Sequence, residues 1–254
     1  MTVTVIQTMG TVASLHSRGR EPGAADIRSI REVFDRWEQR FSLYEPDSEL
    51  SRIVAGQLQF TAASEQLLAT FAAANDWRAA TGGNFTPNRP DGVVDLDGIV
   101  KALAIAEVGE VLVESGLLDW SLNVGGDVLV HGSPSAGTPA PVAPWVLGIV
   151  DPDDRGSLLC SLELVGSRRA IATSGTSERG EHVWRTGSDD QFSFSQVSVL
   201  ADDIVTADVL ATAILAGGSG FCDIATTRWA IDVVTVTRAG EIAMTPGARS
   251  ALAT

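Results

Sequence analysis

Apolar and polar residues alternate along 3–8 and again along 11–16, the period of two that half-buried strands show, with Met9-Gly10 between the runs. The period then lengthens. Ile27, Ile30, Phe34, Trp37 and Phe41 fall on one stripe at helical spacing and predict a helix over 24–41. Residues 42–52 are polar and broken by Pro46, so they read as a loop. A second helix is predicted over 63–81, closed by Gly82-Gly83, and a third, alanine-rich, over 98–115, closed by Gly116.

Strand patterns follow at 120–124, 128–131, 145–150, 158–165, 170–173 and 192–200. The stretch 132–144 is rich in Pro, Ser, Gly and Ala and reads as a surface loop. A returning helix over 203–216 is expected to end at Gly217-Gly218, and strands at 230–237 and 241–244 to pair across Arg238-Ala239-Gly240. Helices cluster early and strands late. That order predicts an α+β (mixed α/β) fold in one domain over 1–254, rather than a regular βαβ winding.

Composition narrows the function classes. With 44% hydrophobic residues in 254, the chain can bury one sizeable core, and no run reaches the roughly 18 uninterrupted apolar residues of a membrane span. The first residues lack the basic and apolar regions of a secretory signal, so a soluble, cytoplasmic protein is expected. Eighteen basic against 32 acidic side chains give a net charge of −14, which repels nucleic-acid backbones and anionic lipid. An anionic ligand therefore needs a local cation or backbone N–H groups. Cys160 and Cys222 have no metal-ligand spacing. Cys160 shares a strand face with Leu158, Leu162 and Leu164 and is expected to be a buried, inert thiol.

Candidate chemistry sits in four places. Asp208 and Thr212 are i and i+4 on a nearly all-apolar helix, so their oxygens lie one turn apart on one face. A carboxylate and a hydroxyl so placed suit Mg²⁺; the alternative is an aspartate that caps a neighbour or pairs with arginine. In Asp95-Leu96-Asp97-Gly98-Ile99-Val100-Lys101, Asp97 is a candidate N-cap and Lys101 a candidate counter-charge for phosphate on the first turn. Asn123-Val124-Gly125-Gly126-Asp127 permits either close approach of a ligand or an ordinary hairpin turn, and lacks the dinucleotide-binding glycine spacing. Thr173-Ser174-Gly175 ends a strand, and His182 follows before Arg185, a candidate general base near phosphate or a structural histidine.

Seven stretches, in order along nearly the whole chain, resemble the ApbE family of FAD:protein FMN transferases. Met9-Gly10-Thr11 is similar to its opening turn. The segment 41–51, with Tyr44, Ser48 and Glu49, is similar to its flavin-side loop. Residues 83–87, 95–101, 123–127, 172–175 and 207–213 match its further motifs.

This resemblance implies a domain of two lobes with FAD in the cleft between them. It implies an Mg²⁺-dependent enzyme that splits the FAD diphosphate, attaches FMN to a Thr or Ser hydroxyl of an acceptor flavoprotein, and releases AMP. Asp208, Thr212 and the Gly98 carbonyl are the implied metal ligands. Lys101 balances the diphosphate, and His182 deprotonates the acceptor hydroxyl. Met9, Gly10, Thr11, Tyr44, Ser48, Glu49, Asp95, Gly125, Gly126, Asp127, Thr173, Ser174 and Gly175 are the implied FAD-binding residues. The chain departs from the family pattern in three ways. The segment from His182 to Thr186 is two residues short and lacks an Asp-Pro, while Asp97 and Ala102 each replace a usual residue. Asp97 either weakens diphosphate binding or joins the metal shell. Two other readings follow from the same motifs: an Mg²⁺-dependent FAD pyrophosphatase giving FMN and AMP, and a non-catalytic FAD-binding protein.

Overall fold

The computed structural model describes residues 2–135, 142–175 and 194–253. The chain opens with the hairpin β1 (Thr2–Thr8) and β2 (Thr11–Ser17), followed by α1 (Ala24–Phe41), α2 (Glu49–Val54), α3 (Glu65–Ala80) and α4 (Asp97–Glu114). Strands β3 (Trp120–Val124), β4 (Asp127–His131), β5 (Trp145–Val150), β6 (Leu158–Leu164), β7 (Ala170–Gly175) and β8 (Phe194–Ala201) come next. The long α5 (Ile204–Arg228), β9 (Asp232–Thr237), β10 (Ile242–Met244) and α6 (Pro246–Ser250) complete it.

Among the described residues, eight strands form one antiparallel sheet in the order β1-β2-β3-β4-β7-β8-β9-β10. The β5–β6 hairpin is a separate two-stranded sheet inserted between β4 and β7. The period-two pattern divides each central strand between two cores. On one face Leu122, Val124, Ala172, Val197 and Val199 pack with α1, α4 and α5; on the other Val128, Val130, Ile171, Leu200 and Val234 pack under β5–β6 and α6. The mixed α/β expectation holds, with α1, α4 and α5 on one side of the sheet and the short α6 with β5–β6 on the other.

The helices form for the reasons their patterns gave. In α1 the stripe Ile30, Phe34, Trp37 and Phe41 is buried, and Asp26 caps the start by accepting the Gly23 N–H at 2.7 Å. Helix α4 buries Ile99, Val100, Ile105, Val108 and Leu112, because it lies between α1 and α5 as well as on the sheet. Helix α5 is capped by Asp203, whose side chain accepts the Thr206 N–H at 2.8 Å. By length and composition α5 could cross a membrane, but 67% of its most apolar window is buried in the fold, where it packs on β7 and β8 as a core helix.

Several expectations are corrected. Gly218 (φ 66°, ψ −160°) leaves the helical region, so the first helical segment of α5 ends there as expected; what was not expected is a second segment running on to Arg228, which Phe221 and Ala225 bury in the same core. The predicted loop 42–52 runs into α2 from Glu49, a helix that the Pro46 break concealed. Ser48 caps α2, accepting the Ser51 N–H at 3.0 Å. Asp97 is the first residue of α4 rather than its cap; the cap position is Leu96, whose side chain has no acceptor, and Asp95 Oδ1 one residue earlier accepts the Asp97 N–H at 3.0 Å. Strand β7 runs on to Gly175. Leu158 is exposed, not on the buried face with Leu162 and Leu164. A bulge opposite Ile149–Val150 pairs Leu158 with the outward Val150 and Cys160 with the inward Ile149. Cys160 is half-buried, and desolvation holds its thiol above the ordinary pKa.

Candidate active site

Two tight turns stand side by side at one end of the sheet, and the first of them borders a cleft. Met9 (φ 45°) and Gly10 (φ 66°) join β1 to β2, and Gly125 (φ 59°) and Gly126 (φ 97°) join β3 to β4. Successive left-handed residues suit two-residue hairpins, whose twist they match. Because β2 pairs with β3, the turns lie side by side: the Gly125 N–H donates to Val12 O at 3.2 Å. A Cβ on Gly125 would stand 2.9 Å from Thr11 Oγ1, so the Thr11 side chain occupies the space that this glycine leaves.

A cleft of about 500 Å³ opens beside these turns. Met9 and Gly10 line it with Trp37, Glu38 and Phe41 of α1, Tyr44 and Glu45 of the following segment, and Asp97, Val100 and Lys101 of α4. Trp37 and Phe41 stack at 5.0 Å, and the Trp37 indole N–H donates to Glu107 Oε2 at 2.6 Å, which fixes the aromatic wall. Tyr44 stands at the rim, 74% exposed. The wall formed by α1 was not anticipated. Its residues fall on an amphipathic stripe, and no sequence signal separates a core position from one that lines a cleft.

Lys101 is held by an ion pair. Its Nζ lies 2.5 Å from Asp127 Oδ2, and the Asp127 side chain is wholly buried. Asp127 Oδ1 also accepts the Thr173 N–H at 3.1 Å. The expected counter-charge for phosphate is thus shared with a carboxylate. Next along β7, Ser174 Oγ lies 3.1 Å from Thr212 Oγ1 on α5, one turn from Asp208, which is 5% exposed. Thr173 points the other way: its hydroxyl meets Ser198 Oγ at 2.8 Å on the face of the sheet opposite the helices. Gly98 lies against Phe85, where a Cβ would stand 3.0 Å from the ring.

Ser48 and Glu49 do not line the cleft. Ser48 Oγ donates to Ser42 O at 2.5 Å, and Glu49 binds Arg40 at 3.0 Å and the Ser64 hydroxyl at 2.7 Å, tying α1, α2 and the start of α3 together. Burial raises the Glu49 pKa, but the Ser64 N–H and hydroxyl and then Arg40 outweigh it, and the net pKa lies below the ordinary glutamate value. A depressed folded-state pKa stabilises above the unfolded pKa and is lost as pH falls through the folded one. Glu49→Gln is therefore expected to lower the melting temperature at neutral pH and to reduce its fall below about pH 4.3. Parallel melting curves of both proteins from pH 7 to pH 3 rule the role out.

His182 lies outside the described residues. Among the described residues no group of three or more His, Cys, Asp and Glu side chains could hold a metal. The donors that the family resemblance implies are of another kind: the Asp208 carboxylate and the Thr212 hydroxyl, one turn apart on α5, and a main-chain carbonyl from Gly98 at the start of α4. All are hard oxygens of the type that suits Mg²⁺, and few enough to leave positions for water and phosphate. By the chemistry of its donors the set fits.

The ApbE family model matches residues 9–89 and 86–233. No curated protein matches the chain in sequence. Among solved structures, an ApbE protein of Thermotoga maritima superposes with a TM-score of 0.78 at 18% identity, covering 100% of this chain and 99% of its own. The flavin transferase ApbE of Vibrio cholerae gives 0.71 at 21% identity, with 99% of each chain covered. The Pseudomonas stutzeri flavinyl transferase ApbE gives 0.75 at 16% identity, covering 99% of this chain and 98% of its own.

Proposed function

The chain belongs to the ApbE family, and from that premise we propose that it is an Mg²⁺-dependent FAD:protein FMN transferase. It cleaves the diphosphate of FAD, joins the FMN phosphorus to a Thr or Ser hydroxyl oxygen of an acceptor flavoprotein, and releases AMP. One observation carries this reading. A polar line runs from Lys101 at the cleft wall through Asp127 and the Thr173 N–H to Ser174 and Thr212, one turn from buried Asp208. It sets a cation, hydroxyls and a carboxylate together in a chain of net charge −14.

Asp208, Thr212 and the Gly98 carbonyl are the residues that would hold Mg²⁺, which when bound offsets phosphate charge as the P–O bond breaks. Lys101 presents its ammonium to the cleft and binds a diphosphate oxygen there. Trp37 and Phe41 offer an apolar wall to the flavin ring, and Tyr44 covers it from the rim. Asp208 is 5% exposed, so its charge would act on a bound cation with little screening by water. The acceptor hydroxyl is a weak nucleophile and loses its proton as the new P–O bond forms. His182 is the base in this reading, and AMP leaves with the other half of the diphosphate.

The test incubates the protein with FAD and Mg²⁺, with and without a threonine-containing acceptor peptide. An FMN adduct on the peptide by mass spectrometry, with AMP, supports transfer. AMP without adduct indicates hydrolysis, and bound FAD without either product indicates a carrier. His182→Ala is expected to slow adduct formation by about 10²-fold while FAD affinity stays within about twofold. An unchanged transfer rate removes His182 from the mechanism.

A further inference from the structure

Asp127 is 0% exposed, and a carboxylate leaves water at tolerable cost only where cations or N–H donors replace its hydration. Both of its oxygens are so engaged, Oδ2 by Lys101 Nζ at 2.5 Å and Oδ1 by the Thr173 N–H at 3.1 Å. The second contact falls where the sheet comes apart. The ladder between β4 and β7 ends at Val128–Ile171, and the Thr173 N–H beyond it goes to the Asp127 side chain instead. One residue further, Ser174 meets Thr212.

We infer that Asp127 is a positioning residue, not a contact for the nucleotide: it holds the Lys101 ammonium at the cleft wall and, through Thr173, holds β7 so that Ser174 reaches α5. The inference rests on the reading of the cleft as the FAD site. Direct contact with FAD, which the motif resemblance implied for this residue, does not suit a side chain without exposure whose one oxygen is ion-paired with Lys101 and whose other accepts the Thr173 N–H. The ion pair in turn explains how a lysine only 14% exposed stays in place. The carboxylate tethers the amine, which still borders the cleft.

Asp127→Asn keeps an oxygen for the Thr173 N–H but sets an uncharged amide against the Lys101 ammonium, so it separates the two contacts. FAD affinity by flavin fluorescence, and KM and kcat for AMP release, are to be measured for four proteins: wild type, D127N, K101M and the double variant. D127N is expected to raise the Kd and KM for FAD about tenfold in the wild-type background, and to change them less than about twofold in K101M. General structural damage would lower both backgrounds alike, and equal losses overturn the inference, as does a D127N protein that binds FAD within about twofold of wild type. If D127N alone fails to fold, the double variant, which removes both charges of the pair, is compared with K101M on the same terms. A double variant that also fails to fold overturns the inference, since Asp127 would then be scaffold. Wild-type protein that binds FAD but yields no AMP with Mg²⁺ and the acceptor peptide present refutes the transferase reading and leaves the affinity comparison decisive. Wild-type protein that does not bind FAD refutes both.

Discussion

Asp208→Ala is expected to lower Mg²⁺-dependent AMP release from FAD by more than about 10³-fold, since a metal at a developing phosphoryl charge supplies several kcal/mol. The reason lies in the setting of the side chain. Ala207, Val209, Leu210 and Ala211 around it are all buried, so nothing nearby on the helix offers a second carboxylate. The Thr212 hydroxyl one turn on and the Ser174 hydroxyl bonded to it are neutral and cannot replace the charge. A second readout separates lost metal from lost fold. Mg²⁺ is expected to raise the melting temperature of the wild-type protein, by linkage to the folded state, and to leave that of the variant unmoved. Turnover retained in the variant, or an equal Mg²⁺-induced shift in both proteins, would remove the metal from this helix.

Trp120→Ala is expected to cost about 3–5 kcal/mol of stability, the range for deleting a large buried aromatic side chain. The indole is 2% exposed and fills the seam between β3 and α4. Its Nε1–H donates to Leu117 O at 3.1 Å, and its ring stacks on His131 at 5.8 Å. Gly109 of α4 makes the fit possible, because a Cβ there would stand 3.2 Å from the indole edge and 2.9 Å from Leu129. Truncation therefore leaves a cavity that neighbours on a rigid strand and helix cannot close. Urea unfolding of both proteins should show a lower midpoint with an unchanged slope. A loss below about 1 kcal/mol would mean that the seam collapses around the gap, and that α4 docks mainly through its other contacts.

The two variants probe the same design from opposite sides. Helix α4 carries Gly98 and Lys101 at its start and is docked by Trp120 near its other end, so the packing of one end positions the chemistry of the other. Residues that tie the elements together include some that the motif resemblance had placed on the ligand. Ser48 and Glu49 fasten α1, α2 and α3, Thr173 contributes its backbone rather than its hydroxyl, and Asp127 serves two protein partners. A short motif preserves residue types without saying whether a side chain faces a ligand or the next strand.

Local order was legible in the amino-acid sequence wherever one periodic face is buried. The strands at 3–8 and 120–124, the stripe of α1, and the one-turn spacing of Asp208 and Thr212 depend only on the repeat of the strand or helix. The turn at Gly125-Gly126 was legible too, because few residues other than glycine accept its backbone. Tertiary structure alone decided the rest. That a second helical segment follows the break at Gly218 depends on Phe221 finding the same core, and whether Leu158 faces in or out depends on a bulge set by its partner strand. That Lys101 comes to rest on Asp127, 26 positions away, is fixed by where β4 crosses α4. Periodicity is a property of neighbours along the chain, whereas pairing of charges and the choice of face are properties of neighbours in space.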